Sequence, residues 1–277
     1  MRGGAPNDRA VRRIVNLELH VAHGCNLTCE SCSHYSNQGH KGMLGLDEAR
    51  QWLSPWAGRL DPQIFSLLGG EPAINPRLTD FVALSREYFP QAHLRIVTNG
   101  FFLHRHPELP RALREHGNAA LRLSVHHDGP EYREKLAPVY ELLGEWQREH
   151  GTHLVIYPSV GQWTRRYKGF GAAMEPYDDR QPRSSWEHCT AKVCPQVFEG
   201  RIWKCAPLAY LGMQHEKYGL SEAWKPYLGY APLEPGCTDA ELQAFFDREE
   251  ESHCGMCPAK PERFALPSPI PRVTRAA

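Results

Sequence analysis

The 277-residue chain has no surplus of either charge: 32 Lys and Arg balance 32 Asp and Glu. Nothing in that balance argues for nucleic acid or an anionic membrane surface as a partner. No apolar run approaches the roughly 18 residues that a membrane span needs. Residues 1–13 lack the apolar core of a signal peptide and read as a loose tail. Internal repeats and low-complexity tracts are also missing. These absences predict a cytoplasmic protein with neither a nucleic-acid nor a membrane partner. In that setting its nine cysteines read as metal ligands or thiols, not disulfides. The fifteen histidines are scattered, and most read as surface or packing residues.

What the chain does have is a dense cysteine loop. Cys25, Cys29 and Cys32 stand at C-x3-C-x2-C spacing directly after an apolar run at 14–21. Such a loop can fold three thiolates around one face of a cubane iron–sulfur cluster. A [4Fe–4S] cluster usually takes four thiolates, so three leave one iron open. The triplet alone also fits a zinc knuckle or a group of buried thiols.

Around that loop, strand and helix patterns alternate. Strands are expected at 15–21, 64–68, 94–97, 121–125 and 153–157. Helices are expected from Leu46, at 78–89, at 109–116 with Gly117 as its cap, and at 131–149, the last weakened by Pro138 and Gly144. This alternation predicts parallel βα units, whose ligands sit at the C-terminal ends of the strands. Three notable segments follow strands directly: the cysteine loop, Gly69-Gly70-Glu71-Pro72 and Thr98-Asn99-Gly100.

The triplet and the Gly-Gly-Glu-Pro segment together resemble the radical S-adenosylmethionine (radical SAM) superfamily. The resemblance covers about residues 14–158 and implies a partial (β/α)6 TIM-like barrel over 1–160. It implies a [4Fe–4S] cluster on Cys25, Cys29 and Cys32, with the amino and carboxylate groups of SAM chelating the open iron. Gly69, Gly70, Glu71 and Pro72 would then meet the SAM ammonium, Thr98 and Asn99 would lie near SAM, and Ser124 would meet its ribose or carboxylate. The alternative for Ser124 is a core serine. The residue before the third cysteine is often aromatic in the family and packs by the adenine, but here it is Ser31. His34 or Tyr35, or backbone alone, is the replacement expected from the sequence. The implied chemistry is one-electron cleavage of SAM to a 5′-deoxyadenosyl radical, which takes hydrogen from an unactivated C–H bond. A flavodoxin- or ferredoxin-type donor is the implied electron source.

Beyond about residue 160, Gly, Pro and aromatics become frequent and the alternation ends. Six cysteines lie there: Cys189, Cys194, Cys205, Cys237, Cys254 and Cys257. A hairpin is expected at 197–203 with its turn at Glu199-Gly200. Cys205 would lie at its end, and Cys194 near it on the facing strand. The segment 161–277 resembles the twitch domain, a short form of the SPASM extension. Cys189, Gly200 and Cys205 fit its spacing, and Cys254 with Cys257 completes it. The resemblance implies a second [4Fe–4S] cluster on Cys189, Cys205, Cys254 and Cys257, with Cys194 as substitute or fifth candidate. A structural zinc site is the alternative. Cys237 reads as a buried thiol.

Candidates for substrate contact are His126, His127, Asp128, Tyr157, Arg165 and Arg166, with His126 and Asp128 as the expected catalytic pair. Arg165 and Arg166 also read as a charged surface. The leading expectation is oxidation or epimerisation of a small polar metabolite such as a sugar or aminocyclitol. Only about thirteen residues precede the first strand, which counts against a leader-peptide-binding domain and against the second reading, a peptide maturase. A non-catalytic zinc-binding protein is the third.

Overall fold

The computed structural model describes residues 10–267. Five strands, β1 (Arg12–His20), β2 (Leu60–Leu68), β3 (His93–Thr98), β4 (Ala119–Val125) and β5 (Leu154–Pro158), pair in parallel, each with the next. Between them run α1 (Leu46–Leu53), α2 (Leu78–Tyr88), α3 (Leu109–His116) and α4 (Pro130–His150), the last continuing through Pro138.

Side chains alternate across the strands, so one face is apolar and the other polar. Leu17, Leu19, Phe65, Leu67, Leu94, Ile96, Leu121 and Leu123 share one buried core with Leu53, Phe81, Leu113 and Leu136 of the helices. The opposite face carries Asn16, Glu18, Ser66, Arg95, Arg122, Ser124 and Tyr157; the register pairs Glu18 with Ser66, Ser66 with Arg95 and Ser124 with Tyr157. This polar face is the inside of an open, partial barrel.

Past β5 come β6 (Trp163–Thr164), α5 (Pro182–Glu187), β7 (Gln196–Phe198), β8 (Arg201–Trp203), α6 (Ala206–Tyr218), α7 (Lys225–Leu228), α8 (Asp239–Asp247) and β9 (Arg263–Phe264). The expected hairpin is β7–β8. Glu199 and Gly200 both have left-handed φ, 53° and 74°, as a two-residue hairpin turn requires. The hairpin does not stay within its own module. β7 pairs in parallel with β1, Glu18 opposite Gln196, and becomes the sixth parallel strand of a seven-stranded sheet ordered β5-β4-β3-β2-β1-β7-β8.

Past residue 160 the sequence reading names a hairpin but no helix, and the structure adds four among the described residues. α6 escapes the sequence reading because it is buried nearly all round, through Leu208, Tyr210, Leu211 and Gln214, and so lacks an amphipathic stripe. The loose tail expected at 1–13 gives way to strand at Arg12; residues 1–9 and 268–277 lie outside the described residues. Among the described residues no helix is long and apolar enough to cross a membrane.

Candidate active site

The C-terminal ends of β1 to β4 converge. β1 delivers the cysteine loop and β2 the Gly-Gly-Glu-Pro turn, and backbone pairing locks the two together. The Gly70 amide donates to the Ala22 carbonyl at 2.8 Å, and the Glu71 amide to the Gly24 carbonyl at 2.9 Å. A Cβ on Gly70 would lie 2.3 Å from the Gly24 carbonyl oxygen, and one on Gly69 would lie 2.5 Å from that of Ala22. The glycines therefore serve an approach of backbone to backbone, where the sequence reading gave them to a ligand.

Glu71 is a fastener. Its Oε1 accepts from the Ala73 amide (3.0 Å) and the Thr98 hydroxyl (2.5 Å), and its Oε2 from the Asn99 amide (2.8 Å). Burial pushes its carboxyl up to about 7, while those three donors pull the other way. With three acceptor positions used, one lone pair of Oε2 remains for the ammonium contact expected of it. Pro72 begins the short turn Pro72–Ile74, where no amide hydrogen is needed. Asn99 Nδ2 donates to Asn26 Oδ1 at 2.7 Å and lies 3.8 Å from Cys25 Sγ, tying β3 to the cysteine loop.

The triplet is a set of soft donors, Cys29 buried and Cys25 and Cys32 half-buried, with N–H groups aimed at sulfur. The Leu27 amide reaches Cys25 Sγ at 3.4 Å, and the amides of His34, Ser36 and Asn37 favour the Cys32 thiolate. Burial raises the pKa of all three thiols, and the neighbouring thiols raise those of Cys25 and Cys29 further. Alone they stay protonated; a bound cation would hold them as thiolates. This donor set fits an iron–sulfur cluster.

Both residues expected to replace the missing aromatic make contacts within the protein. Tyr35 is fully buried, its hydroxyl donating to the Pro207 carbonyl at 3.2 Å and its ring 5.3 Å from that of Tyr167. His34 packs against His20 and Tyr210. Ser31 itself has left-handed backbone (φ 56°), and its hydroxyl accepts from the amides of Arg166 (2.6 Å) and Tyr167 (3.2 Å). The linker is thus clamped onto the triplet loop, which sequence reasoning missed. Arg165 adds an ion pair to Glu30 at 2.7 Å, and Tyr167 a hydrogen bond to Asn37 at 3.0 Å.

On β4, Ser124 is buried, and its hydroxyl makes no hydrogen bond among the described residues. His126 follows, held neutral by burial, which lowers its pKa to about 4. Its Nδ1 is buried without a partner, and its ring lies 5.4 Å from that of Trp163, whose Nε1 is also buried and unpartnered. His127 instead accepts from the Gly129 amide at 2.9 Å, and Asp128 is exposed.

Cys189, Cys205, Cys254 and Cys257 form one group. Burial raises the pKa of Cys205, Cys254 and Cys257, and the charges of their neighbours within the group raise them further. Cys205 sits at the N-terminus of α6, and Arg166 Nη1 lies 3.9 Å from Cys189 Sγ. Burial opposes the charge of Arg166, but its nearness to Cys189, Cys257 and Cys205 outweighs that and raises its pKa. Cys194, two residues before β7, lies beside Glu18 and 3.6 Å from Asn16 Nδ2. Cys237 is half-buried and accepts from Arg59 at 3.3 Å. Among the described residues no three His, Cys, Asp or Glu side chains are gathered to hold one metal ion. A tetrahedral zinc site would draw its sulfurs to within about 3.8 Å of one another.

Between the triplet loop and the Cys189 loop lies a cavity of about 170 Å³. Ser31 and Ser33 line it from the triplet side, Arg166 and Thr190 from the other, with Tyr157 and Trp163 between.

Residues 19–142 match the Radical SAM superfamily. The fold is similar to that of BtrN in complex with AdoMet and 2-DOIA, with 20% identity, a TM-score of 0.53, and coverage of 88% of this chain and 90% of that one. A structure of anSMEcpe with bound AdoMet and Cp18Cys peptide gives 14% identity, a TM-score of 0.43, and coverage of 88% and 94%. Residues 19–142, which bring the cysteine triplet and the Gly-Gly-Glu-Pro turn to one end of a parallel sheet, are a domain of the radical SAM superfamily.

Proposed function

We propose that Cys25, Cys29 and Cys32 hold a [4Fe–4S] cluster that binds SAM, and that Cys189, Cys205, Cys254 and Cys257 hold a second [4Fe–4S] cluster within an auxiliary module at 161–277. The substrate is a small polar metabolite that is oxidised or epimerised. When bound, the first cluster and SAM supply a hydrogen-abstracting radical, and the second cluster accepts an electron. The observation that carries this reading is the cavity lined by Ser31 and Ser33 of the triplet loop and by Thr190 beside Cys189, with Arg166 reaching both loops.

The chain's own residues bind, orient and deprotonate. The Gly69–Pro72 turn and Asn99 keep the triplet loop in place, and Ser124 offers a free hydroxyl to SAM. His126, neutral and with an unpartnered Nδ1 beside the cavity wall, is the acceptor for a substrate hydroxyl proton. It suits that role better than Asp128, which is exposed. Trp163 and Tyr157 line the cavity. A flavodoxin- or ferredoxin-type protein delivers the electron.

The test is anaerobic reconstitution followed by dithionite, SAM and an assay for 5′-deoxyadenosine. Cys29→Ala is expected to abolish its formation. The double variant Cys254→Ala, Cys257→Ala is expected to keep uncoupled SAM cleavage while losing about half the iron. Cleavage retained in Cys29→Ala contradicts the first assignment; full iron in the double variant contradicts the second.

A further inference from the structure

The inside of the partial barrel holds cations that the protein does not pair. Arg95 and Arg122 lie on the polar face of adjacent strands, and among the described residues neither makes an ion pair. Burial depresses the pKa of Arg95, and the charge of Arg122 depresses it further, so the two guanidiniums feel one another. Like charges on neighbouring strands repel.

The acid on that face, Glu18, attracts Arg95 but forms no ion pair with it. Glu18 is buried, and its two oxygens accept from Asn16 Nδ2 at 2.9 Å and Gln196 Nε2 at 2.5 Å. Arg95 donates to the Ser66 hydroxyl at 3.1 Å. Arg122 has less: its carbon Cζ stands 3.9 Å over the Tyr157 ring, and its Nε is buried with no partner. A cation–π contact offsets desolvation but leaves the charge uncompensated.

These groups adjoin the cavity described above. Tyr157, which carries Arg122 on its ring, is a wall of that cavity. Of the nine residues lining it, Arg166 alone has a formal charge; the others offer mainly hydroxyls, an amide and aromatic rings. No carboxylate lines it, so a substrate ammonium would find no counter-charge there. Along β4, Arg122 precedes Ser124 by two residues, about 7 Å.

We infer that the substrate is an oxyanion: its phosphate or carboxylate sits against Arg122, with Arg95 behind, and its hydroxylated part occupies the cavity. This rests on the reading of the cavity as the substrate site. It narrows the substrate class to acidic or phosphorylated polyols and excludes amines held through their charge. Arg122 is the specificity determinant, because a guanidinium presents paired N–H donors to two oxygens of such a group.

The test is titration calorimetry of the reconstituted, SAM-loaded enzyme with inorganic phosphate, acetate and tetramethylammonium. One equivalent of phosphate or acetate is expected to bind the wild type, and tetramethylammonium not to bind. Binding is expected to weaken about tenfold or more in Arg122→Gln and by about threefold or less in Arg122→Lys. Absence of anion binding to the wild type overturns the inference without any variant, as does unchanged binding in Arg122→Gln. Whether phosphate or acetate binds more tightly separates the two oxyanions. Failure of the broader reading shows elsewhere, as no 5′-deoxyadenosine from SAM and dithionite in phosphate-free buffer.

Discussion

The backbone amide of Arg166 donates to the Ser31 hydroxyl at 2.6 Å. One short contact thus joins the triplet loop to the linker whose guanidinium reaches Cys189, and the Tyr167 amide shares the same acceptor. Ser31→Ala leaves the buried Tyr167 amide unpaired, at about 1–3 kcal/mol, and the part-buried Arg166 amide without its acceptor, at less. We expect lower stability in urea unfolding and slower substrate turnover, with uncoupled SAM cleavage less affected. Ser31→Gly loses the same hydroxyl but relaxes the left-handed backbone, so it is expected to be less damaging by about 1 kcal/mol. Wild-type stability in both variants contradicts the clamp.

Gly70→Ala tests the pairing of the triplet loop with the Gly-Gly-Glu-Pro turn. The new Cβ meets the Gly24 carbonyl at 2.3 Å, and backbone cannot step aside as a side chain can. Overpacking of about 1–3 kcal/mol, plus the loss of backbone hydrogen bonds worth about 1 kcal/mol each, is expected, together with loss of SAM cleavage. Gly212→Ala, inside α6 with open space at its Cβ, is expected instead to stabilise by about 0.5–1 kcal/mol. Equal effects of the two substitutions on unfolding midpoints contradict the account.

Acid stability follows from buried histidines. Burial lowers the pKa of His20, and the nearby His34 and His23 lower it further; burial alone lowers that of His126 to about 4. Both ring nitrogens of His20 lack partners. The unfolded chain takes up these protons near pH 6.5, before the folded protein does. The stabilisation is therefore complete above pH 6.5 and is lost as pH falls toward about 4. His126 alone corresponds to on the order of 3 kcal/mol over that window. Melting temperatures between pH 7 and 4.5 are expected to fall steeply in the wild type and less steeply in His126→Gln and His20→Phe. Parallel curves contradict the assignment.

The first half of the chain was legible because its information is local. Each strand from β1 to β5 appears where apolar residues cluster between turn signals, and each functional loop follows a strand end. β2 is longer than its apolar run because pairing with β1 extends it back to Leu60, opposite Arg12. The rest depends on contacts between residues far apart in sequence. Gln196 joins the sheet beside Glu18, and no local pattern announces that partner. The same pairing draws Cys194 toward Glu18 and Asn16 and leaves Cys189 with the group that spacing had favoured. Ser31 looked like a missing aromatic; its role in the clamp depends on Arg166 and Tyr167, some 135 residues away.

The most direct measurement is iron and acid-labile sulfide per chain after anaerobic reconstitution, with 5′-deoxyadenosine assayed on addition of SAM and dithionite. The account predicts about eight of each and 5′-deoxyadenosine formed, two cubanes on the two cysteine groups. About four iron with 5′-deoxyadenosine would remove the second cluster. Absence of both iron and 5′-deoxyadenosine would contradict the central claim.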